Sequence, residues 1–191
     1  PELETLRVSE KILDLLRLIA FQVGSEVSLQ ELAGALRMSR NTVEKYLYLL
    51  EKAFVLIKVR GFSRNLRKEV TKTARYYFVD VGLRNAVVDN FNPLVSRNDV
   101  GQLWENFLFA ERIKANAYRG RRVAYYFWRT WDRKEIDLVE ERGGKLFGYE
   151  FKYNPRKITK APKDWSAAYS DAGYEVVTPE NYLSFLNLSK E

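Results

Sequence analysis

The chain has 191 residues and is 46% hydrophobic, with 12 Tyr, 11 Phe and 4 Trp. That suffices for one medium domain or two small ones with a real core, and it is not the composition of a disordered segment. It contains no cysteine and no histidine, which excludes disulfides, thiolate metal sites, histidine acid–base catalysis and serine triads that use histidine. Any metal must therefore be a hard cation held by oxygen ligands.

No apolar run approaches the ~20 residues of a membrane span, and no charged-then-apolar leader is present. A cytoplasmic location without a membrane partner is the expectation. The first residue is Pro1 rather than Met, which reads as a fragment of a longer protein or a chain whose start is not given. Gly143-Gly144-Lys145 lacks the spacing of a phosphate-binding loop, so no ATP-binding loop is recognisable in the chain as it stands. The net charge of +7 is concentrated: Arg37 to Arg75 holds eleven basic residues against Glu44, Glu51 and Glu69. Such clustering points to a polyanionic partner.

In chain order, residues 5–22 carry apolar positions at Leu6, Ile12, Leu15, Leu16 and Ile19, the spacing of an amphipathic helix. Ser28 with Glu31 forms a capping box before a short helix, and Ser39 caps the next, whose stripe is Val43, Tyr46, Leu47 and Leu50. A strand pattern, VLIKVRGF, a basic stretch and a second strand, RYYFVD, follow. Two close helices and a two-strand hairpin make a winged helix-turn-helix over residues 1–90. Asp80 to Leu83 marks its exit, and residues 90–98 read as a linker. Residues 96–191 then give a helix at 99–117, strands at 123–129, 134–141 and 145–153, a helix near 161–172 and a strand, YEVVT. That is an α-β-β-β-α-β order in an α/β fold.

In a helix-turn-helix the second helix faces nucleic acid with its N-terminal residues, here Arg40, Asn41, Thr42 and Lys45. Arg64, Arg67, Lys68 and Lys72 in the hairpin suit phosphate contacts. Winged helices also dock proteins, and that use stands beside DNA contact.

The second half carries the sharper chemistry. Gly143-Gly144 suits a two-residue hairpin turn at positive φ. Arg142 then pairs with Lys145, and counting back sets Asp137 opposite Glu150, with Cβ atoms ~5 Å apart. Lys152 shares the face of Glu150, which is expected to be solvent-facing, while Phe147, Tyr149, Phe151 and Tyr153 line the buried one. Two carboxylates held this close share a proton or a cation. Mg²⁺ or Mn²⁺, with Lys152 beside it, supplies what phosphodiester hydrolysis needs. Glu105, within an otherwise apolar helical turn, is a fourth candidate. Asp132, Glu135, Glu140 and Glu141 are expected to be solvated, and Tyr126, Trp128 and Trp131 to be core. An isolated Glu-x-Lys is ordinarily a surface ion pair; the register and Glu105 are what raise this one above that.

Ile136-Asp137, Glu150-Phe151-Lys152 and Glu105 together resemble the PD-(D/E)xK, or restriction-endonuclease-like, superfamily. Ile136 stands where that motif has proline. The stretches LAGALRMSRNTVEKYLYLLEKAFVL, RYYFVDVGLRN, GQLWENFLFAE and KEIDLVEERGGKLFGYEFK are similar to the C-terminal region of bacterial and archaeal AAA-type P-loop ATPases. The resemblance implies metal-ligand roles for Glu105, Asp137 and Glu150, the lysine role for Lys152, and an N-terminal ATPase domain as partner. ATP would bind in that domain only. It also implies two alternatives, a DNA-binding metal-dependent nuclease or a non-catalytic DNA- or protein-interaction module.

Overall fold

The computed structural model describes residues 2–64, 73–156 and 159–186, with side chains from Ser9 onward. It is a mixed α/β structure in which seven helices surround one seven-stranded, mostly antiparallel sheet among the described residues. Helix α1 (Glu2–Phe21) leads to a two-residue strand β1 (Glu26–Val27), then α2 (Leu29–Leu36) and α3 (Arg40–Lys52). Both short helices begin as the sequence requires: Ser28 Oγ accepts from the Glu31 N–H at 3.3 Å and Ser39 Oγ from the Thr42 N–H at 3.1 Å. Strands β2 (Leu56–Gly61) and β3 (Ala74–Phe78) follow, and then α4 (Val81–Val87). Asp80 does not end the first half. It caps α4, accepting from the Leu83 N–H at 3.0 Å.

The connection to the second half is pinned. Arg84 on α4 bonds the Ala20 carbonyl at the end of α1 and reaches Asp99, which also takes two bonds from Arg97. Helix α5 (Val100–Tyr118), strands β4 (Ala124–Arg129), β5 (Glu135–Arg142) and β6 (Lys145–Phe151), helix α6 (Lys163–Ala168), strand β7 (Gly173–Val177) and the short α7 (Tyr182–Phe185) complete the chain.

The strand order is β1-β3-β2-β4-β5-β6-β7. The hairpin of the first half and the sheet of the second are continuous, because β2 pairs in parallel with β4 through Arg60↔Tyr126 and Gly61↔Phe127. One core follows that continuity. Leu15, Ile19, Leu47, Leu56, Tyr77 and Phe78 pack in the same cluster as Leu108, Phe109, Phe127, Leu138, Tyr149 and Phe151. A second cluster, Phe62, Trp128, Ile136, Val139, Leu146, Trp165 and Tyr169, lies on the α6 side of the sheet. Both faces of β5 and β6 are therefore covered, which accounts for Glu140 being fully buried rather than solvated. Arg112 on α5 meets it with a two-pronged ion pair at 2.6 and 2.9 Å. Trp131, expected in the core, sits in the β4–β5 turn and is 65% exposed. No helix among the described residues is long and apolar enough to cross a membrane.

Candidate functional site

Gly143 and Gly144 both adopt positive φ (57° and 73°), and the β5–β6 ladder runs in the counted register from Arg142↔Lys145 to Leu138↔Tyr149. It stops one pair short of Asp137 and Glu150. There Val139 pairs with Tyr126 of β4 but Ile136 pairs with Trp128, so β5 carries one residue more than its neighbour. Ile136 and Val139, three apart, both pack with Trp165, while Leu138 joins the α5-side core. Such a bulge redirects a side chain and ends regular pairing. The side chain concerned is Asp137, whose Oδ2 accepts the Phe151 N–H at 2.8 Å and so takes over a backbone partner.

Three further groups converge on this point. Lys152 Nζ lies 2.5 Å from Glu150 Oε1. Glu105 comes from α5 and accepts a 2.7 Å hydrogen bond from Tyr77 Oη. It is held in register by the next residue: the Asn106 amide bonds both the N–H and the carbonyl of Phe78, each at 2.8 Å, which locks α5 to the end of β3. Gly24, at φ +74°, runs so close that a Cβ there would stand 2.6 Å from Glu105 Oε1. The left-handed backbone favours glycine there, and a Cβ would push the Glu105 carboxylate aside.

The expected solvent-facing placement is not what is found. Asp137 and Glu150 are 7% and 8% exposed, because β7 and α6 cover the sheet here. Burial has a direct electrostatic consequence. Burial first, then the nearby charges of Glu105 and Glu150, raise the Asp137 carboxyl well above its usual range. Burial pushes Glu105 up to about 7, with Arg75 and the Tyr77 hydroxyl opposing. Glu150 is also raised by burial, against the hydrogen bond from Lys152, and that same pairing raises Lys152 despite its burial. All three carboxyls are thus raised above their ordinary values, burial being the largest cause in each.

Of the four groups, Glu150 lines a cleft of about 390 Å³, together with Lys134, Glu135, Lys160, Lys163 and Tyr174. Three lysines in the lining suit an anionic ligand that would meet the Glu150 carboxylate. The donor set is all oxygen, the kind a hard divalent cation takes. Glu150 Oε2 is buried without a hydrogen-bond partner, an acceptor such an ion would satisfy. The spacing differs: among the described residues no three acidic side chains stand close enough to share one ion. They enclose Arg75 of β3 instead, whose Nη2 bonds Glu135 Oε2 at 2.7 Å and whose Nη1 lies 4.0 Å from both Glu105 Oε1 and Asp137 Oδ1.

Of the expected nucleic-acid contacts, Arg40, Asn41 and Lys45 are exposed on the first turns of α3. The Thr42 hydroxyl lies 2.7 Å from Ser39 Oγ, part of the cap. Arg40 lines a groove of about 270 Å³ between α3 and the hairpin, together with Glu44, Lys58, Arg60, Thr73 and Tyr76. Arg64 stands against the second half, its side chain 3.4 Å from Glu141 and its N–H on Tyr169 Oη. Arg67, Lys68 and Lys72 lie outside the described residues.

Two family models match, one after the other. Residues 1–94 match a domain of unknown function (DUF8612) and residues 100–186 another (DUF4143). The chain is 28% identical over 137 residues to an uncharacterized protein of Mycobacterium tuberculosis, covering 71% of this chain and 30% of that protein, and equally to one of Mycobacterium bovis. An uncharacterized protein of Haemophilus influenzae is 28% identical over 133 residues, 67% of this chain and 30% of its own. The chain thus spans less than a third of the curated relatives it matches. No solved structure matches it.

Residue-by-residue reading of the sequence gave Arg75 and Tyr77 no place in the site and took Glu135 as solvated. A signal existed for the first two. In the strand RYYFVD they alternate onto one face, and an arginine on a strand with Tyr76, Tyr77 and Phe78 needs a buried acid.

Proposed function

We propose that this chain is the nucleic-acid-binding, nuclease-like part of a larger protein, with a winged helix-turn-helix over residues 1–90 and a restriction-endonuclease-like domain over 96–191. The observation that carries the reading is the cluster of Glu105, Asp137, Glu150 and Lys152. It lies at a strand bulge, its Glu150 lines a cleft with three lysines, and all three of its carboxyls are raised. A backbone phosphate entering the cleft meets Lys134, Lys160 and Lys163 in its lining, and Lys152 stands behind them on Glu150, an acid of the same lining. There a fixed ammonium stabilises charge that grows on phosphate. Glu105, poised near neutrality, can hold or release a proton within the site. A Mg²⁺ or Mn²⁺ ion held by Asp137, Glu150 and Glu105 would polarise the phosphoryl oxygen and activate water. DNA lies along α3 and the groove, on Arg40, Asn41, Lys45, Lys58 and Arg60. The remaining length of the relatives leaves room for an AAA-type ATPase domain as partner, and a G-x-x-x-x-G-K-[ST] motif in the parent protein checks that directly.

A second reading has one observation in its favour. The acids are gathered round Arg75 rather than an ion, as in a module that binds without cutting. Nicking of supercoiled plasmid in Mg²⁺ or Mn²⁺ separates the two. Hydrolysis predicts that Asp137→Ala and Lys152→Ala each lose about 10²-fold or more of the wild-type rate. Equal background in all three proteins, with salt-sensitive DNA binding retained, assigns the non-catalytic role.

A further inference from the structure

Strand β4 passes into β5 through a tight turn, Thr130-Trp131-Asp132-Arg133-Lys134. Backbone bonds hold it closed. The Arg133 N–H donates to the Thr130 carbonyl at 3.1 Å and the Thr130 N–H to the Lys134 carbonyl at 2.9 Å, while the Lys134 N–H donates to Thr130 Oγ1 at 3.1 Å. Trp131 stands at the tip of this turn, 65% exposed. An exposed ring alone would mean little, but the same turn carries a second departure. Arg133 has a φ of +66°, the left-handed position at which such a turn favours glycine. Backbone strain is thus accepted to keep a side chain there, and that side chain is exposed and forms no ion pair among the described residues. The turn offers solvent two flat groups, an indole and a guanidinium, on a fixed frame. Its other residues, Thr130, Asp132 and Lys134, are polar, so within the turn the ring has none of the apolar neighbours that form the core of a protein interface. The turn also belongs to the cleft wall. Lys134 lines the cleft and pairs with Asp164 of α6, whose neighbour Lys163 lines it too. Three residues separate Trp131 from Lys134, at most about 10 Å of chain. A phosphate on Lys134 and a base on Trp131 can therefore belong to one short stretch of a nucleic-acid strand.

We propose that Trp131 and Arg133 form a stacking site for an unpaired nucleobase, so that the strand entering the neighbouring cleft is single-stranded rather than part of an intact duplex. This rests on the nucleic-acid-binding reading of the chain. In a duplex each base face is covered by the next base, and only edges lie open in the grooves. An indole at the tip of a turn has a base to stack on only where pairing is absent or broken. The guanidinium of Arg133 can lie on the same kind of surface or meet the phosphate beside it. Trp131 thereby selects the form of the strand, while the lysines of the cleft hold its backbone.

The test is a tryptophan-fluorescence titration of the 191-residue chain with oligothymidylate of about 12 nucleotides, and separately with a duplex of the same length, with circular dichroism as the check on folding. Of the four tryptophans, Trp128 and Trp165 are buried and Trp104 is half-buried, so a change on stacking reports Trp131. Oligothymidylate should quench the emission. Trp131→Leu should remove the quenching and bind the single strand about tenfold less tightly, whereas Trp131→Phe should keep most of the affinity. Arg133→Gly should bind it about threefold less tightly and yet unfold at a higher temperature, because the left-handed position is then relieved. Oligouridylate run in parallel tells RNA from DNA, and dependence on Trp131 with either supports the site. Single-strand binding that Trp131→Leu leaves unchanged overturns the inference, as does quenching by the duplex equal to that by the single strand. A protein that binds duplex through Arg40 and Lys45 and ignores single strands also overturns it, with the nucleic-acid reading left standing. Binding of neither overturns both.

Discussion

Replacing Glu105 by Gln isolates the energetic cost of the acid cluster. The Gln side chain keeps an oxygen to accept from Tyr77 Oη and nearly the same volume against Gly24. In the folded protein burial raises the Glu105 carboxyl from an ordinary 4.5 up to about 7. The folded state therefore holds this proton where the unfolded chain has released it. Below pH 4.5 the group is protonated in both states and the variant should match wild type. As pH rises from 4.5 to 7 the wild type progressively loses stability, and above 7 it carries the whole cost of ionising the group. That cost is about 3 kcal/mol, or several degrees of Tm in a chain of this size. Urea unfolding of both proteins in EDTA at pH 4.5, 6, 7 and 8 gives the difference directly, and groups that do not interact with Glu105 cancel. Glu105→Gln should be equal at pH 4.5 and more stable at pH 8. A gap that is flat with pH, or a variant less stable at pH 8, would mean that Glu105 is an ordinary ionised partner of Arg75, and the reasoning would fail.

Glu140→Gln leaves Arg112 buried beneath α5 without its counter-charge and should lose about 3–5 kcal/mol in urea unfolding. A loss under about 1 kcal/mol would show that Arg112 is satisfied by the Phe185 carbonyl and Tyr149 alone. Arg40→Ala combined with Lys45→Ala should weaken duplex DNA binding irrespective of its sequence and reduce the log–log salt slope by about 2. Fluorescence anisotropy from 50 to 200 mM KCl measures it, and an unchanged slope takes the start of α3 out of the contact surface.

Local chemistry made much of this molecule readable. Serines 28 and 39 had to cap helices because their hydroxyls meet orphan N–H groups three residues on. Gly143-Gly144 had to turn a hairpin because both positions need positive φ, and the turn set the register that brings Asp137 towards Glu150. Period-2 and period-3.6 patterns then marked the α-β-β-β-α-β order. These are short-range constraints, each settled within a few residues.

What lies beyond them depended on contacts between distant segments. A parallel pairing such as β2 with β4 leaves no mark in either strand, since the bonds are all backbone. Without it the Arg75 of β3 is a basic residue among many, and with it Arg75 stands among acids drawn from α5 and β5. The same applies to depth. Glu140 and Glu150 follow the alternation of surface residues, and only the helices packed on both faces of the sheet bury them. The sequence by itself determined which acids and which lysine share a hairpin. The tertiary structure alone decided that the two acids are buried and resist ionising, and that an arginine from the other half of the chain stands between Asp137 and Glu105 of α5. Burial and long-range charge pairing are properties of the packed sheet, not of any one segment.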